Sequence, residues 1–324
     1  MNKGEKMKNN IKKWILIILG VCLWEVAVFF GSYIYDSMNP QKVLLAQHEE
    51  SQSSQSDNSS AEREHDYKND IGATTNVINI LFLGIDKTDE RESWLGVYRS
   101  DTIAIARIYL DSKKIKVLNI PRDTYTYVPI ANKMDKINHA FAFGSVNGNG
   151  VQASLNAVSH FFDKQIIDYY FTMNMEPIPS IVDEIGGVKL DVEIDMKNHG
   201  ANLKKGLQVL NGKQAFYYIR WRYSAGGDID RIKRQQKFIS ALYTQQRDSG
   251  KIIETLNIIL KHKNNIQTDL NIKQLIGLAA SLSDIPNGNV TYYTIPGTCK
   301  MINGISYWLP DENNTNEIIK EFLC

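Results

Sequence analysis

The sequence has no excess of charge of either sign and contains few cysteines. Its 324 residues include 37 Lys and Arg against 36 Asp and Glu, which gives a formal net charge of +1. The chain is therefore not generally basic, and any group of arginines within it is a local feature. The 3 cysteines contain no CxxC pair, so the sequence does not indicate a zinc or redox site of that kind.

The N-terminus has the pattern of a membrane anchor. Several lysines precede an apolar run at residues 14–35, which is about as long as the roughly 20 residues of a spanning helix. Because the lysines lie on its N-terminal side, residues 1–13 are expected in the cytoplasm and the rest of the chain outside the cell. A cleaved signal peptide is the alternative, but its apolar core is usually roughly 7–15 residues long and ends at a small-x-small site. No such site precedes Tyr35. Glu25 is costly within the span, and either a partner or a lipid headgroup could pair with it.

A polar stalk is expected to follow the anchor, at residues 36–75. Residues 51–70, SQSSQSDNSSAEREHDYKND, are rich in serine and almost free of apolar side chains. Such a segment cannot bury enough surface to offset the entropy of ordering it. Residues 76–324, in which no internal repeat is found, are then expected to form the extracellular globular domain.

Two cysteines fall in the part expected outside the cell. A disulfide between Cys299 and Cys324 would persist there and would hold the C-terminal tail. Two unpaired thiols are the alternative, and we favour the disulfide. Cys22 falls in the anchor.

The apolar pattern predicts an α/β domain. Two segments joined by a short turn should form a hairpin, which indicates a mixed sheet. The predicted fold class is an α-β-α sandwich around a mixed central sheet, preceded by one N-terminal transmembrane helix. Strands are expected at residues 77–86, 101–109, 114–120, 169–175, 188–194 and, as the last strand, 291–295. Helices are expected at residues 136–143, 151–162, 178–185, 208–218, 230–250, 252–262 and 272–281.

One stretch, residues 216–236 (FYYIRWRYSAGGDIDRIKRQQ), gathers arginines around a Gly-Gly turn. Arg220 and Arg222 are two residues apart and would share one face of a strand. Arg231 and Arg234 are three residues apart and would lie about one turn apart on a helix that has Asp228 or Asp230 near its N-cap. Guanidinium groups that converge from two elements are suited to binding a pyrophosphate.

Three shorter blocks also place charged residues at the ends of apolar elements. They are YRSDT at 98–102, IPRDT at 120–124 and KINH at 136–139. Proteins of the α/β class bind ligands in the loops at strand ends. If Arg99 and Arg122 meet the arginines of the longer stretch, the combined positive charge would require an anion. Asp86 and Asp101 offer the hard oxygen ligands that Mg²⁺ takes together with phosphates.

Each of these features alone also has an ordinary structural explanation. An Arg-Asp step is commonly an exposed ion pair, and His139 beside an apolar dipeptide is commonly a structural histidine. Arg220 and Arg222 could mark a solvated edge, and Asp86 could be a turn residue.

Taken together, the blocks resemble a known family. INILFLGID, YRSDT, IPRDTY, KINHAFAFG, IVDEIGGVKLDV, LNGKQAFYYIRWR and GGDIDRIKRQQ occur in this order over residues 76–246. In this order and spacing they are similar to the LytR-CpsA-Psr family of cell-envelope proteins, and the anchor and stalk fit its single-pass type II topology. The resemblance implies a phosphotransferase that attaches polyprenyl-pyrophosphate-linked glycopolymers, of the teichoic acid or capsule type, to peptidoglycan outside the membrane of Gram-positive bacteria. The implied acceptor is a sugar hydroxyl of the murein strand.

The resemblance also implies roles for individual residues. Asp86 and Asp101 would hold Mg²⁺, with Mn²⁺ as a substitute. Two departures from the family pattern affect these roles. The polar insert at residues 87–98 makes Asp89 an alternative second metal ligand, and Ile229-Asp230 replaces the usual Phe-Gly step before Arg231. The pyrophosphate would be bound by Arg99, Arg122, Arg220, Arg222 and Arg231, and the pocket would be completed by Asp123, Lys136, Gln235 and Asp228, the last beside Arg231.

In the implied reaction, the murein hydroxyl attacks the phosphorus that carries the glycan, and polyprenyl phosphate leaves. Asp123 and Asp101 are both candidates for accepting the hydroxyl proton, and His139 is a weaker one because its block is expected to begin a helix. The prenyl chain needs an apolar slot. Its candidate lining residues, which would otherwise be core, are Phe141, Phe143, Phe161, Phe162 and Tyr243.

Two alternative functions use the same residues. The arginines could bind polyprenyl pyrophosphate for hydrolysis by water, and product analysis would separate that reaction from transfer. A membrane-tethered lipid-binding or regulatory protein without turnover is the other alternative. A role in transcription has little support, because the chain shows no recognition-helix signature and its arginines are expected outside the cell.

Overall fold

The computed structural model describes residues 76–87, 98–198 and 201–324. The cytoplasmic tail, membrane anchor and stalk predicted over residues 1–75 lie outside this part of the chain, as do Cys22 and Asp89. Among the described residues, no helix combines the length and the apolar character needed to cross a bilayer.

The domain is built from strands and helices that alternate along much of the chain. The strands are β1 (Val77–Ile85), β2 (Ser100–Tyr109), β3 (Lys114–Asn119), β4 (Tyr125–Val128), β5 (Lys133–Lys136), β6 (Tyr169–Asn174), β7 (Val188–Val192), β8 (Met196–Asn198), β9 (Ala201–Leu203), β10 (Gly206–Leu210), β11 (Ile266–Thr268), β12 (Val290–Thr294), β13 (Gly297–Ile302) and β14 (Ile305–Pro310). The helices are α1 (His139–Ser145), α2 (Gly150–Phe161), α3 (Ile178–Ile185), α4 (Gly212–Arg220), α5 (Gly227–Asp248), α6 (Ile252–Lys261), α7 (Ile272–Ser283) and α8 (Glu312–Leu323).

A six-stranded mixed sheet forms the centre of the domain, in the order β11-β6-β1-β2-β3-β12. Strand β2 pairs antiparallel with both β1 and β3, whereas β6 runs parallel to β1 and β12 runs parallel to β3. The predicted hairpin of β2 and β3 and the predicted mixed sheet are therefore confirmed. The sheet is covered by helices on both faces, which explains why its central strands have few exposed residues.

The two faces of the sheet belong to separate apolar clusters. Leu81 and Ile105 face a cluster that contains side chains of α1, α2 and α8. Ile80 and Ile108 face the opposite way, toward side chains of α6 and α7. This alternation along β1 and β2 follows from the two-residue period of a strand, and it produces the three-layer arrangement that the sequence predicted.

A third apolar cluster lies beside the main sheet and supports α4. It joins side chains of β7, β10 and α3 to Tyr218, Trp221 and Phe238. Helix α4 begins at a capping box, in which the Asn211 side chain accepts from the backbone of Gln214 and the Gln214 side chain accepts from the backbone of Asn211. The cap fixes the start of α4, and the cluster fixes its C-terminal end, where Arg220 is the last helical residue and Arg222 follows in the loop.

Several predicted boundaries were wrong. Lys136 ends strand β5, opposite Tyr125 of β4, instead of beginning a helix. Residues 206–210 form β10, which pairs with β7, so the helix predicted from residue 208 begins at Gly212. Helix α5 begins at Gly227, which places Asp228 and Asp230 in its first turn and Gly226 at its N-cap.

The C-terminal region contains elements that the sequence analysis missed. Strands β13 and β14 form a hairpin after the strand predicted to be the last, and α8 follows them. Asn303 and Gly304 both have positive φ at its turn, as the common two-residue hairpin turn requires. The structure also corrects the predicted disulfide, because Cys299 on β13 and Cys324 after α8 are free and exposed.

The contact of α4 with α3 leads to a stability prediction. A Cβ atom at Gly212 would lie 1.9 Å from the Pro179 carbonyl oxygen, so Gly212→Ala must displace backbone. We expect this substitution to lower the free energy of unfolding by about 3 kcal/mol, measured by urea denaturation. Gly288→Ala is the matched control, since the added Cβ would meet no neighbouring side chain or backbone of the described residues within 4 Å. Equal stability of the two variants would contradict this packing.

Candidate functional site

A β-bulge directs Asp101 into the site. Gly84 of β1 pairs with Thr102 of β2 and Ile85 pairs with Ser100, so Asp101 is an extra residue on the longer strand. Bulges re-aim side chains and are common beside active sites. A Cβ at Gly84 would lie 2.9 Å from the Thr102 Cβ, so glycine permits the close approach of the two strands at this point.

The Asp101 carboxylate contacts three arginines from three segments of the chain. Its Oδ2 atom lies 2.7 Å from Arg122 Nη1, 2.8 Å from Arg222 Nη2 and 3.4 Å from Arg231 Nη1. Arg231 also donates from Nη2 to the Asp101 backbone carbonyl, at 3.0 Å. Arg122 follows β3, Arg222 lies in the loop after α4, and Arg231 lies on α5. Guanidinium groups from three separate segments of the chain therefore meet at one end of the sheet.

Asp228 is a second carboxylate that faces the same three arginines. Its Oδ1 atom lies 2.8 Å from Arg231 Nη2, 3.6 Å from Arg122 Nε and 3.8 Å from Arg222 Nε. Asp228 is in the first turn of α5, where the helix dipole also favours a negative charge. Two carboxylates thus hold three guanidinium groups close together.

Burial and charge act in opposite directions on these groups. Burial by itself would raise the pKa of Asp101, but the nearby charges of Arg122, Arg231 and Arg222 hold that pKa below its ordinary value. For Arg231, burial dominates and, with the repulsion from the other two arginines, lowers the pKa to about 10 despite the attraction of the acids. Asp101 and Arg231 are both therefore charged at neutral pH, with only 2% of each side chain exposed.

Further charged pairs surround this cluster. Arg220 Nη2 lies 3.4 Å from Asp86 Oδ1. Asp123 accepts from Lys136 Nζ at 2.8 Å and lies 3.5 Å from Arg122 Nε. These contacts place two pairs of predicted site residues at the border of the arginine cluster.

Gln235 and Arg99 complete the set of predicted residues. Gln235 lies within hydrogen-bond distance of the Thr102 hydroxyl, at 3.3 Å, and donates to the Ile219 carbonyl. Arg99 is exposed, and its carbonyl accepts from the Asp86 amide. A small recess adjoins the cluster and has both polar and apolar lining residues. It is lined by Asp101, Thr102, Ile103, Asn119, Ile120, Arg122, Ile232 and Gln235.

One prediction about arginine geometry was wrong, and another was confirmed. Arg220 ends helix α4 and Arg222 lies in the following loop, so the two do not share a strand face. Arg234 does lie one turn after Arg231, but its guanidinium contacts Glu193, Trp221 and Ser224 instead of the pocket acids. The three arginines around Asp101, called the arginine clamp below, therefore come from a strand end (Arg122), a loop (Arg222) and a helix (Arg231).

His139, the weaker candidate for the base, has a carboxylate partner. His139 begins α1, and its Nδ1 lies 3.0 Å from Asp135 Oδ1. Burial lowers the pKa of His139, and Arg99 and Lys136 lower it further against the attraction of Asp135.

The aromatic residues proposed for a prenyl slot do not lie together. One group belongs to the apolar cluster under α1 and α2, and it consists of Phe141, Phe143, Phe161 and Phe162. Tyr243 lies on the other side of the sheet, where its hydroxyl is 2.7 Å from the Leu282 and Ile285 carbonyls.

The sequence analysis missed the contribution of the C-terminal hairpin. The Trp308 amide donates to the Asp123 carbonyl at 2.8 Å, and Lys136 Nζ lies 5.6 Å from the centre of the Tyr307 ring. The hairpin therefore supports both members of the Asp123–Lys136 pair. The Asn303-Gly304 turn was the available signal, since this dipeptide between alternating segments favours a hairpin.

The acidic residues meet the needs of Mg²⁺ only in part. Within the described residues, no three His, Cys, Asp or Glu side chains come together as a metal site. Mg²⁺ does not need such a group, because it commonly takes one or two carboxylates and completes its shell with phosphates and water. Asp101 Oδ1 is buried and accepts no hydrogen bond within the described part of the chain. A buried carboxylate oxygen of this kind is a suitable donor for a hard cation.

Known proteins are similar to this chain in sequence. A teichoic acid transferase TagU of Oceanobacillus iheyensis is 35% identical over 255 residues, covering 78% of this chain and 77% of its own length. The TagU of Bacillus licheniformis is 28% identical over 317 residues, covering 98% of this chain and 96% of its own. Both carry the full name polyisoprenyl-teichoic acid–peptidoglycan teichoic acid transferase.

Solved structures show the same fold. The crystal structure of Bacillus subtilis TagV superposes with a TM-score of 0.65 at 26% identity, covering 76% of this chain and 96% of TagV. A structure described as TagT bound to LIIa-WTA has a TM-score of 0.60 at 25% identity and covers 76% of this chain and 89% of TagT. The sequence model of the LytR_cpsA_psr family matches residues 43–322. Because this match spans well over half of the chain, this protein belongs to the LytR_cpsA_psr family.

Proposed function

We propose that this protein is a membrane-anchored transferase that moves a glycopolymer from a polyprenyl-pyrophosphate carrier to peptidoglycan outside the cell. The observation that carries the proposal is the meeting of Arg122, Arg222 and Arg231 around Asp101. Family membership and the names of the TagU relatives support the same reaction. The lysines and the apolar run that precede the described domain support the location.

Binding of the donor begins with an exchange of ion partners. The three arginines are held by Asp101 and Asp228, so an incoming diphosphate takes over contacts that these carboxylates make. Planar guanidinium groups suit this exchange, because each presents two or more donors to neighbouring phosphate oxygens. Arg122 and Arg222 are more exposed than Arg231, at 17% and 35% against 2%. They would therefore make the first contacts, and Arg231 would form the fixed base of the site.

The chemical step is a phosphoryl transfer. An oxygen of a peptidoglycan hydroxyl forms a bond to the phosphorus that carries the glycan, and the bond from that phosphorus to the bridging oxygen breaks. Polyprenyl phosphate leaves with the bridging oxygen and its electron pair. The arginines stabilise the charge that builds up on the phosphate oxygens, which is the main contribution a protein makes to this class of reaction.

Asp123 is the better of the two candidate bases. The Asp101 carboxylate is 2% exposed and its Oδ2 faces three guanidinium groups, which leaves little room for an acceptor hydroxyl. The Asp123 side chain is 25% exposed and is held by Lys136 at 2.8 Å. A carboxylate that is both oriented and reachable meets the geometric requirement for a general base. The proton of the acceptor hydroxyl would pass to Asp123 and then to solvent.

Asp101 and Asp86 would hold Mg²⁺ together with oxygens of the donor diphosphate. Asp101 Oδ1 supports this role, since it is buried without a hydrogen bond from the described residues. Bound Mg²⁺ would add positive charge where the diphosphate is most negative. The arginines act in the same direction, so the metal would strengthen a site that the chain already provides.

The arginine clamp gives a first test. We expect Arg122→Lys to lower kcat/KM for transfer of a lipid-linked polymer by about a hundredfold, because lysine keeps the charge and loses the planar fork. The measurement is the amount of polymer joined to peptidoglycan over time by the purified full-length enzyme. Arg247→Lys is the matched control, since Arg247 lies on the same helix as Arg231 but about 24 Å further along its axis and pairs with the exposed Asp248.

Two outcomes would count against the proposal in different ways. Transfer by Arg122→Lys at the wild-type rate would remove the clamp from the mechanism. Release of free polymer without attachment to peptidoglycan, in wild-type enzyme supplied with acceptor, would instead identify a polyprenyl-pyrophosphate hydrolase.

Metal removal gives a second test. We expect a chelator to lower the transfer rate by about a hundredfold and added Mg²⁺ to restore it. Asp101→Asn should show a similar loss that added Mg²⁺ does not restore, provided that thermal unfolding shows the variant to be folded. Asp248→Asn, which changes an exposed acid 55% accessible to solvent, should keep the wild-type rate. Equal rates with and without chelator would exclude the metal and leave the arginine mechanism in place.

A further inference from the structure

Arg234 is a buried arginine that the proposed reaction does not use. It lies one turn after Arg231 on α5, and its side chain is 3% exposed. Its guanidinium makes three contacts: Nη1 donates to Glu193 Oε1 at 3.0 Å, and Nη2 donates to the Trp221 carbonyl and to the Ser224 hydroxyl, both at 2.9 Å. A buried charge with this many partners has a structural task, because an unpaired one would be strongly destabilising.

The carboxylate that holds Arg234 is itself fixed. Glu193, just after β7, also accepts from the Tyr218 hydroxyl at 2.9 Å. Burial would raise the pKa of Glu193, but a backbone hydrogen bond, Arg234 and Tyr218 together lower it. Tyr218 is fully buried in the apolar cluster under α4. The guanidinium of Arg234 is thus anchored to a carboxylate that is itself held by the apolar cluster under α4.

The two other contacts of Arg234 lie on either side of Arg222 in the sequence. Trp221 precedes Arg222 directly and Ser224 follows it by two residues, in the loop of residues 221–226 between α4 and α5. One nitrogen of Arg234 therefore holds both flanks of the segment that carries Arg222. Arg222 in turn reaches Asp101 at 2.8 Å. A loop without helix or strand geometry depends on such side-chain contacts for a fixed shape.

From this arrangement we infer that Arg234 is the positioning residue for Arg222. It does not touch the donor site, and it sets the direction in which the Arg222 guanidinium points. Lysine cannot replace it, because a single ammonium on a flexible stem cannot reach Glu193 and both loop acceptors with the same geometry. The inference rests on the proposed use of Arg222 as a diphosphate ligand, and it adds the device that fixes this ligand in place.

The test is a double-mutant cycle that reads binding of inorganic pyrophosphate to the full-length protein by calorimetry. We expect Arg234→Lys to weaken binding about tenfold, since small misplacements of a binding group are costly. In an Arg222→Lys background, the same change should have little further effect, because its target is already altered. In an Arg122→Lys background it should again weaken binding about tenfold, since Arg122 is held by a different segment.

Two controls keep the inference open to refutation. Ser224→Ala removes one loop contact without changing the buried charge, so it should weaken binding in the same direction even if Arg234→Lys unfolds. Lys233→Arg alters a neighbouring cation on the same helix and should bind pyrophosphate as the wild type does. Equal effects of Arg234→Lys in the two arginine backgrounds, or unchanged binding by Ser224→Ala, would overturn the positioning role.

The measurement separates this inference from the proposed reaction. Transfer to peptidoglycan is assayed in parallel with the same proteins. If the variants show the expected coupling between Arg234 and Arg222 in pyrophosphate binding, but the wild type transfers no polymer, the transferase proposal fails and the role of Arg234 stands. If the wild type transfers polymer and the coupling is absent, only the role of Arg234 fails.

Discussion

The ion cluster around Asp101 is the interaction on which the rest of the site depends. One buried carboxylate joins the central sheet, the loop after α4 and the start of α5 through Arg122, Arg222 and Arg231. Burial of these charges is costly, because charges removed from water must be paired closely with partners of opposite sign. The bulge in β2, the glycine opposite it and Asp228 at the start of α5 all serve that match. The fold therefore holds the arginines together before any ligand arrives.

The surroundings of the cluster are fixed by contacts that come from other parts of the chain. Lys136 holds Asp123, and the C-terminal hairpin holds the backbone of Asp123 through Trp308. Arg234 and Glu193 hold the loop that carries Arg222. A site assembled from strand ends and loops needs this kind of outer support, since a ligand contact is only as precise as the side chain that makes it.

The sequence was sufficient for elements that have a strong local pattern. Strands β1 to β3 were predicted because their apolar residues run continuously or alternate, and Gly186 marked the end of α3 correctly. The shared strand face predicted for Arg220 and Arg222 was wrong because the helix expected to end at residue 218 continues to Arg220. Ala215, Tyr218 and Ile219 are buried at helical spacing, and that period determines the structure. The direction of Arg234 could not be predicted, because its partner Glu193 lies 41 positions away in sequence. The sequence analysis expected the charged blocks to meet in space, and the structure agrees. The catalytic and binding role of each residue remains a prediction.

The sharing of three arginines between two carboxylates also has a consequence for selectivity and turnover. Chloride, or any other small monovalent anion, can replace at most one carboxylate, so the internal ion pairs resist such competitors. In the proposed reaction, a diphosphate carries oxygens on two linked phosphorus atoms and would displace both acids at once. After transfer, the departing lipid monophosphate has fewer oxygens with which to hold the arginines, and Asp101 and Asp228 can reclaim them. The same acids that offset two of the three positive charges before the donor binds would thus help to expel the spent carrier.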